Sequence, residues 1–441
     1  MYNKRNIDFI KKHHPHLTRY TTYFDDFYNH IVSISMKHKD LLEDGIETPN
    51  NEHQHIDLIK EIENISVDIS IIIICKNEER VIQRCLDSIS KQTDNQDEII
   101  LIDTGSTDNT IPIVLDHYPM VKVKHLEWKD NFAEVRNYGI KVSSKKWIFF
   151  IDADEHLEEN SLHTLKHYLK VIEFLGLEKI CVNPIIANSN GHIVRGVRRI
   201  FRGSEEFQYF GSIHEELRLD IKKYGQDINE ISFDNVILHH DGYETHVMEE
   251  KNKIKRNTKL LKDMVVIEEK HPRWVYFYAR DGQSILGSEE YLLLLKRTIE
   301  LCHDNKYYEQ YKIRAISDLI RFHIDINDSK KAKYYITQLK ELVDDFSDVF
   351  YYETLIKINE LKREYAILLE QSINYRNSKS IEFGSINSNL FHIDMLIAIL
   401  FFEIGEYQRA FKLLSKLEDN KYEGFKDKFI YLSQALKEYI E

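Results

Sequence analysis

The sequence predicts an α/β domain built on a mostly parallel sheet, followed by an all-α domain of helical repeats. Three observations carry that prediction. Between Val67 and about Tyr243, apolar β-branched runs alternate with amphipathic stretches, the pattern of βαβ units whose sheet is covered on both faces. From about Glu244 to Glu441 such runs stop and helical patterns follow one another. Within the first region, residues 147 to 157 read WIFFIDADEHL, an apolar strand that ends in three acids within four positions.

Taken in order, residues 1–66 are polar and rich in His, Tyr and charge, with helical stretches such as HQHIDLIKEIENI. They are expected to form a helical extension that orders or dimerises the chain. Residues 67–243 supply the strands: VDISIIIIC before EERVIQRCLDSISKQ, DEIILIDTG before STDNTIPIVLDHY, VKVKHLEW before NFAEVRNYGIKVSS, and KKWIFFIDAD. In residues 244–441, MLIAILFFEIGEYQRAFKLLSKL (395–417) reads as two helices joined at Gly405, with Ala410 allowing close approach. Similar marks at GSEEYLLLLKRTI, DSKKAKYYITQLKEL and LKREYAILLEQSI recur at an irregular ~35 to 45 residues, the period of stacked helical hairpins. They suggest a tetratricopeptide-type array, with a plain helical bundle as the alternative and residues 375–389 as an inserted loop.

Composition narrows the function. The chain has 441 residues, 42% of them hydrophobic, enough for two or three packed domains. No stretch reaches the roughly 18 apolar residues of a spanning helix, and the N-terminus lacks the apolar segment of a signal peptide, so the expected location is the cytoplasm. Four cysteines, Cys75, Cys85, Cys181 and Cys302, form neither a disulfide framework nor a paired zinc-ligand spacing. With 60 basic and 73 acidic residues the net charge is −13, opposite to that of a general nucleic-acid binder. Any bound phosphate must meet a local basic cluster.

The acids of WIFFIDADEHL end a strand, and ligands of open α/β sheets lie at the carboxyl ends of strands. Side chains two apart on an extended chain share a side, so Asp152 and Asp154 can face one ligand while Ala153 turns away. Two hard oxygen donors suit Mg²⁺ or Mn²⁺, with waters and a substrate diphosphate completing the shell. The neighbouring strands end in Cys75-Lys76-Asn77-Glu78-Glu79 and Asp103-Thr104-Gly105-Ser106-Thr107-Asp108, the second opening a helix whose N-terminal N–H groups attract anions.

This ordered set, IIIICKNEERVIQRCLDSI, EIILIDTGSTDNT and WIFFIDAD, is similar to family 2 glycosyltransferases of the GT-A fold. The resemblance implies a UDP-hexose donor, with Asp103 at the uracil, Cys75, Asn77 and Glu78 lining the nucleoside pocket beside Ser106, and Asp152 and Asp154 at the metal and diphosphate. EWKDNFAEVRNYGI (127–140), RRIFRGSEEFQYFGSIHEEL (198–217) and LHHDGYE (238–244), followed by a helical-repeat tail, narrow it. They look like bacterial peptide S-glycosyltransferases that modify glycocins of the sublancin type. Some of these motifs also occur in family 2 enzymes that build cell-surface glycans. The usual Glu-Asp pair that holds the base is missing, and His214-Glu215-Glu216 takes its place in chain order.

The remaining candidates follow. Arg195, Arg198, Arg199 and Arg202 either form a solvated strand face or clamp donor phosphates, since guanidinium forks suit phosphate oxygens. Arg136 and Asn137 could reach the site edge or be a helix-surface pair. His240 is a third metal ligand by the resemblance, with a structural histidine as the alternative. Trp128, Phe132 and Trp147 read as core. The expected reaction inverts the anomeric carbon by direct displacement while the metal stabilises the leaving diphosphate. Glu215 is the expected general base, with Glu216 next and His214 beside them. The expected partner is a bacteriocin precursor peptide, modified at a cysteine thiol or a serine hydroxyl and bound partly by the repeats; a homodimer stays open. Synthesis of a cell-surface glycan or lipid-linked saccharide, and a non-catalytic repeat scaffold, are the competing readings; intact Asp103, Asp152 and Asp154 argue against the scaffold.

Overall fold

β-Branched runs of five to nine residues separated by amphipathic segments can bury themselves only by pairing side by side under helices, and they do so here. The computed structural model describes residues 52–203, 206–219, 228–240, 247–303, 305–344, 346–378, 386–420 and 422. Of the extension expected over residues 1–66, the part before residue 52 lies outside them; the remainder forms α1 (Glu52–Glu63). Then come β1 (Ile69–Cys75), α2 (Ile82–Ser90), β2 (Glu98–Asp103), α3 (Thr110–His117), β3 (Val121–His125), α4 (Phe132–Val142) and β4 (Trp147–Asp152). They continue as β5 (Glu155–Leu157), α5 (Ser161–Phe174), β6 (Ile180–Asn188), β7 (Ile193–Val194) and β8 (Ile200–Arg202). A short ribbon of β9 (Gln208–Phe210) and β10 (Glu216–Arg218) precedes β11 (Asn229–His240).

Among the described residues the main sheet has the order β3-β2-β1-β4-β8-β6-β11-β5, with β7 on β6. β1, β2, β3 and β4 are mutually parallel, and β8 runs against both β4 and β6. Because β8 reverses twice, β6 and its parallel partner β11 point the same way as β1 to β4. Their carboxyl ends therefore share one sheet edge. In register, Cys75 lies beside Asp103, Ile74 beside Asp152, and His240 beside both Glu155 and Asn188.

Alternate side chains of each strand enter two separate cores, as a sheet covered on both faces requires. Ile71 and Ile73 of β1 pack with Leu86 of α2 and Leu165 of α5, whereas Ile72 packs with Phe150 and Val135 of α4. The result is a GT-A-like domain of mostly parallel strands.

The chain divides into two compact units, Met1–Leu286 and Gly287–Glu441. The first continues past the last strand through two helices, α6 (Val247–Ile267) and α7 (Pro272–Gly282). His271 caps α7, its ring accepting from Arg273 N at 3.2 Å, and Pro272 opens the first turn where no intrahelical donor is needed. The second unit is helical: α8 (Ser288–Cys302), α9 (Glu309–Asp325), α10 (Ser329–Lys340), α11 (Ser347–Ser378), α12 (Phe391–Glu403) and α13 (Tyr407–Asp419). The hairpin expected around Gly405 is present: Gly405 takes φ +89° between α12 and α13, and Ala410 is buried against Ile397 and Phe401. LKREYAILLEQSI forms no hairpin of its own. It continues α11, a helix of 32 residues with neither Gly nor Pro to end it. Of residues 375–389, the first four finish α11 and residues 379–385 lie outside those described.

Candidate active site

The site grows from strand ends. The loops after β1 and β2 interlock: Asn77 Oδ1 accepts from Thr107 N at 2.7 Å, Asn77 N donates to Ser106 Oγ at 3.0 Å, and Glu78 N donates to Thr110 Oγ1 at 2.7 Å. Asn77 takes a left-handed φ of 59°, which Asn tolerates better than most residues. Asn77 and Ser106, both expected at the donor, thus shape the edge by binding one another. Asp103 accepts from Ser106 N at 2.9 Å and faces His125 Nδ1 at 3.0 Å. Burial opposes its charge, yet these bonds hold its carboxyl below the usual range. Cys75 is buried beside it; burial, then the charge of Asp103, pushes the thiol up to about 12.

Asp152 is gripped by two arginines. Arg199 Nη1 donates to Oδ1 at 2.9 Å and Nη2 to Oδ2 at 2.5 Å, a bidentate fork, while Arg136 Nη2 reaches Oδ1 at 3.2 Å. Burial works against the charge, but Arg199 and Arg136 hold the carboxyl well below its ordinary value. Arg136 stands in the second turn of α4, capped by Asn131 Oδ1 accepting from Glu134 N at 3.1 Å. Its guanidinium lies 5.2 Å from the Phe150 ring and 5.4 Å from the Tyr209 ring, and its Nε donates to Glu215 Oε1. One buried cation therefore joins the carboxylate at the end of β4 to a carboxylate on the β9–β10 turn.

The HEE run separates three ways. Glu215 alone of the three meets Arg136. Glu216, on β10, turns to the other side, where its Oε2 accepts from Arg218 Nε at 2.9 Å within a buried cluster. His214 points at α7, its Nε2 2.6 Å from Asp281 Oδ2. The arginine run separates too. Antiparallel pairing sets Arg202 beside Trp147, at the amino end of β4, where its Nε donates to Glu173 Oε1 at 3.1 Å. Arg202 is therefore away from the edge carrying Asp103 and Asp152, and Arg199 is the member that reaches it. Arg198 holds Glu230 and the Leu217 carbonyl, and Arg195 holds exposed Asp234. Asn137 pairs with Tyr209, Nδ2 to O at 2.9 Å and N to Oδ1 at 2.7 Å. Trp147 is core, and Trp128 packs edge-on against Phe132.

His240 faces Asp154, Nε2 to Oδ2 at 3.2 Å. Asp241, Gly242 and Tyr243 lie outside the described residues. Asn188 Nδ2 donates to His192 O at 3.0 Å, which turns its Oδ1 toward His240 Nδ1 at 2.8 Å. That contact places a proton on Nδ1, and the hydrogen bond to Asp154 at Nε2 raises the imidazole pKa above its ordinary value; a cation held at Asp154 would take the Nε2 lone pair in place of that proton, the arrangement of a metal-ligating imidazole whose second nitrogen is hydrogen-bonded outward. The donor set suits a divalent cation held by Asp154 and His240, with substrate oxygens and water in the remaining positions. Among the described residues no group of three or more His, Cys, Asp or Glu side chains is arranged to hold a metal by itself. Asp152, with both oxygens on guanidinium, fits the role of a neighbour better than that of a ligand.

Glu78, expected at the nucleoside pocket, is joined here by three residues not singled out in the sequence, Glu155, Asn188 and Asp281. Glu155 accepts from Asp152 N at 2.9 Å and from Arg199 at 3.3 Å, and burial raises its pKa to about 7. Glu78 is raised to about 7 by burial and then by Asp154. Asn188 and Asp281 come from β6 and α7, far in sequence from the histidines they hold, His240 and His214. Only Glu155 stood in plain view, as the third acid of its run.

Residues 70–224 match the model of Glycosyl transferase family 2. The SPbeta prophage-derived glycosyltransferase SunS of Bacillus subtilis (strain 168) is 26% identical over 366 residues, covering 82% of this chain and 83% of that protein. Glycosyltransferase GlyG of Streptococcus pneumoniae serotype 4 is 38% identical over 101 residues, 22% of this chain and 33% of that protein. The crystal structure of S. aureus TarS 1-349 in complex with UDP-GlcNAc has a TM-score of 0.38 at 15% identity, over 61% of this chain and 90% of that one. So loose a likeness says nothing of what this chain binds. Among the described residues no helix is long and apolar enough to cross a membrane. The family match and the similarity to SunS along most of both chains agree with the resemblance drawn from the motifs, and residues 70–224 are a family 2 glycosyltransferase domain.

Proposed function

We propose that the chain is an inverting, metal-assisted glycosyltransferase that moves a hexose from a UDP-sugar to a cysteine thiol of a precursor peptide. The observation that carries this reading is the single guanidinium of Arg136, which ties Glu215 to Asp152 at the sheet edge where Asp154 and His240 converge. Donor and acceptor carboxylates are thereby held in one frame.

In this reading Asp103, Cys75 and Glu78 line the nucleoside pocket and Arg199 orders the diphosphate side through Asp152. A divalent cation bound by Asp154 and His240 would supply Lewis-acid stabilisation of the departing diphosphate. Glu215 takes the thiol proton as the sulfur–carbon bond forms and the bond from the anomeric carbon to the phosphate oxygen breaks, its electron pair leaving with UDP. Burial opposes ionisation of Glu215, but Arg136 holds its carboxyl below the usual value, which makes it a weak base. A thiol ionises near ~8.5, so a weak base suffices for it, whereas a hydroxyl is poorly matched. The helical tail supplies contacts to the peptide outside the reacting residue.

The test is mass spectrometry of a cysteine-containing peptide and its serine counterpart after incubation with single UDP-sugars, with Mn²⁺ or with chelator. A hexose increment on the cysteine peptide, lost with chelator, is expected. Transfer only to a saccharide or lipid-linked acceptor would replace this reading with that of a glycan-building enzyme.

A further inference from the structure

We propose that Arg273, in the first turn of α7, is a positioning residue that aims Glu215 into the site. The proposal deepens the reading above and rests on Glu215 being the base.

The turn joining β9 to β10 contains two left-handed residues, Gly211 at φ +108° and His214 at φ +49°. A histidine in that region costs free energy and persists only where surrounding contacts over-determine it. α7 provides those contacts. Arg273 donates from Nε and Nη2 to the His214 carbonyl at 3.0 and 2.8 Å, and from Nη2 to the Glu215 carbonyl at 3.3 Å. Its guanidinium lies 5.1 Å from the Phe277 ring, on which the His214 imidazole also stacks at 4.3 Å. Asp281 Oδ2 holds His214 Nε2 at 2.6 Å. Trp274 fills the space above Gly211, where an added Cβ would lie 2.5 Å from Cη2, and its Nε1 donates to Glu268 Oε2 at 2.7 Å. Glu268 in turn accepts from Arg218 at 2.8 Å, and Arg218 holds Glu216.

Both neighbours of Glu215 are thus tied toward α6 and α7. The Glu215 side chain between them turns to Arg136 instead. Arg273 holds the carbonyls of residues 214 and 215, so it acts on Glu215 through the backbone.

The experiment is a double-mutant cycle on the full chain, reading kcat and KM for transfer from UDP-glucose to a cysteine-containing peptide, with UDP affinity measured by calorimetry. Arg273→Ala should lower kcat roughly 10- to 100-fold, the size expected when a reacting group is misplaced by about 1 Å. UDP affinity should change less than about twofold, since Asp103, Cys75 and Glu78 are untouched. Arg273→Lys should recover part of the loss. Glu215→Gln should lower kcat, and adding Arg273→Ala to it should cost little more, because a residue that acts only by aiming Glu215 has nothing left to aim. Losses that multiply in the double variant, or wild-type kcat in Arg273→Ala, would overturn the proposal. The same cycle run with Asp281→Asn, which keeps size and removes the charge facing His214, decides the matter independently of how well the alanine variant folds. Full transfer by Glu215→Gln alone would instead remove the base assignment and leave the geometry of α7 as it stands.

Discussion

Asp152 and Asp154 are two residues apart, yet their partners divide their duties: two guanidiniums on the first, an imidazole on the second. The imidazole is itself set by Asn188, so Asn188→Ala should weaken Mn²⁺ binding about 10- to 100-fold in the presence of UDP, while Asp154→Ala should remove it. Paramagnetic titration of Mn²⁺ reads this without any turnover, and unchanged binding in Asn188→Ala would refute the second role. Glu216 serves stability instead. Burial alone would raise its pKa, but His271, Arg273 and Arg218 hold it down to about 2, below the ~4.3 of an unfolded glutamate. A depressed carboxyl stabilises the fold above the unfolded value and loses that contribution as pH falls toward the folded one. Glu216→Gln should therefore cost on the order of 3 kcal/mol at pH 7 and about half of that near pH 3. Urea unfolding at both values checks it, and an equal loss at each would sink the assignment.

At the scale of elements, α4 brings Arg136 to its carboxylates by lying unusually close to the sheet. The approach happens at Gly139, where an added Cβ would meet Ile102 Cδ1 and Ile72 Cγ2 at 3.0 Å and Phe150 Cε1 at 3.2 Å. Gly139→Val should destabilise by about 1 to 3 kcal/mol through overpacking and should also lower transfer by lifting Arg136 from Asp152 and Glu215. Thermal unfolding and kcat together measure this; a loss of stability with unchanged kcat would show that α4 tolerates the shift without disturbing its arginine. The β9–β10 turn depends on α7 in the same manner, since Trp274 occupies the space a side chain at position 211 would need.

At the scale of the molecule, the division at Leu286 defines which part should keep the chemistry. A chain ending there retains both sheet cores together with α6 and α7, so it should bind UDP with near-native affinity by calorimetry. If the helical unit recognises the peptide, the shortened chain should show a KM for peptide raised about 10-fold or more, because linked contacts raise the local acceptor concentration. An unchanged KM would assign the tail to stability alone.

The sequence by itself determined the layered α/β domain, the helical region after it and the edge on which the chemistry gathers. Those properties follow from local periodicity and from carboxylates placed where apolar runs stop, and both are written in consecutive residues. It also supplied the family, because the motifs fall in order along the chain. What it left undecided was the partner of each side chain. Arg199 and Arg202 read alike, but strand residues three apart point to opposite faces and lie roughly 10 Å from each other, so antiparallel pairing on β4 sends one to Asp152 and the other to Glu173. Glu215 and Glu216 are adjacent and equally acidic, and only the packing of α6 and α7 on one side of the turn separates the carboxylate that meets Arg136 from the one buried against Arg218. α6 and α7 fall in the region from about Glu244 that reads as helical repeats, because every amphipathic helix shows the same pattern to a reader of sequence; which unit a helix belongs to depends on the surface its apolar face meets, for α7 Gly211, His214 and the turn that carries Glu215.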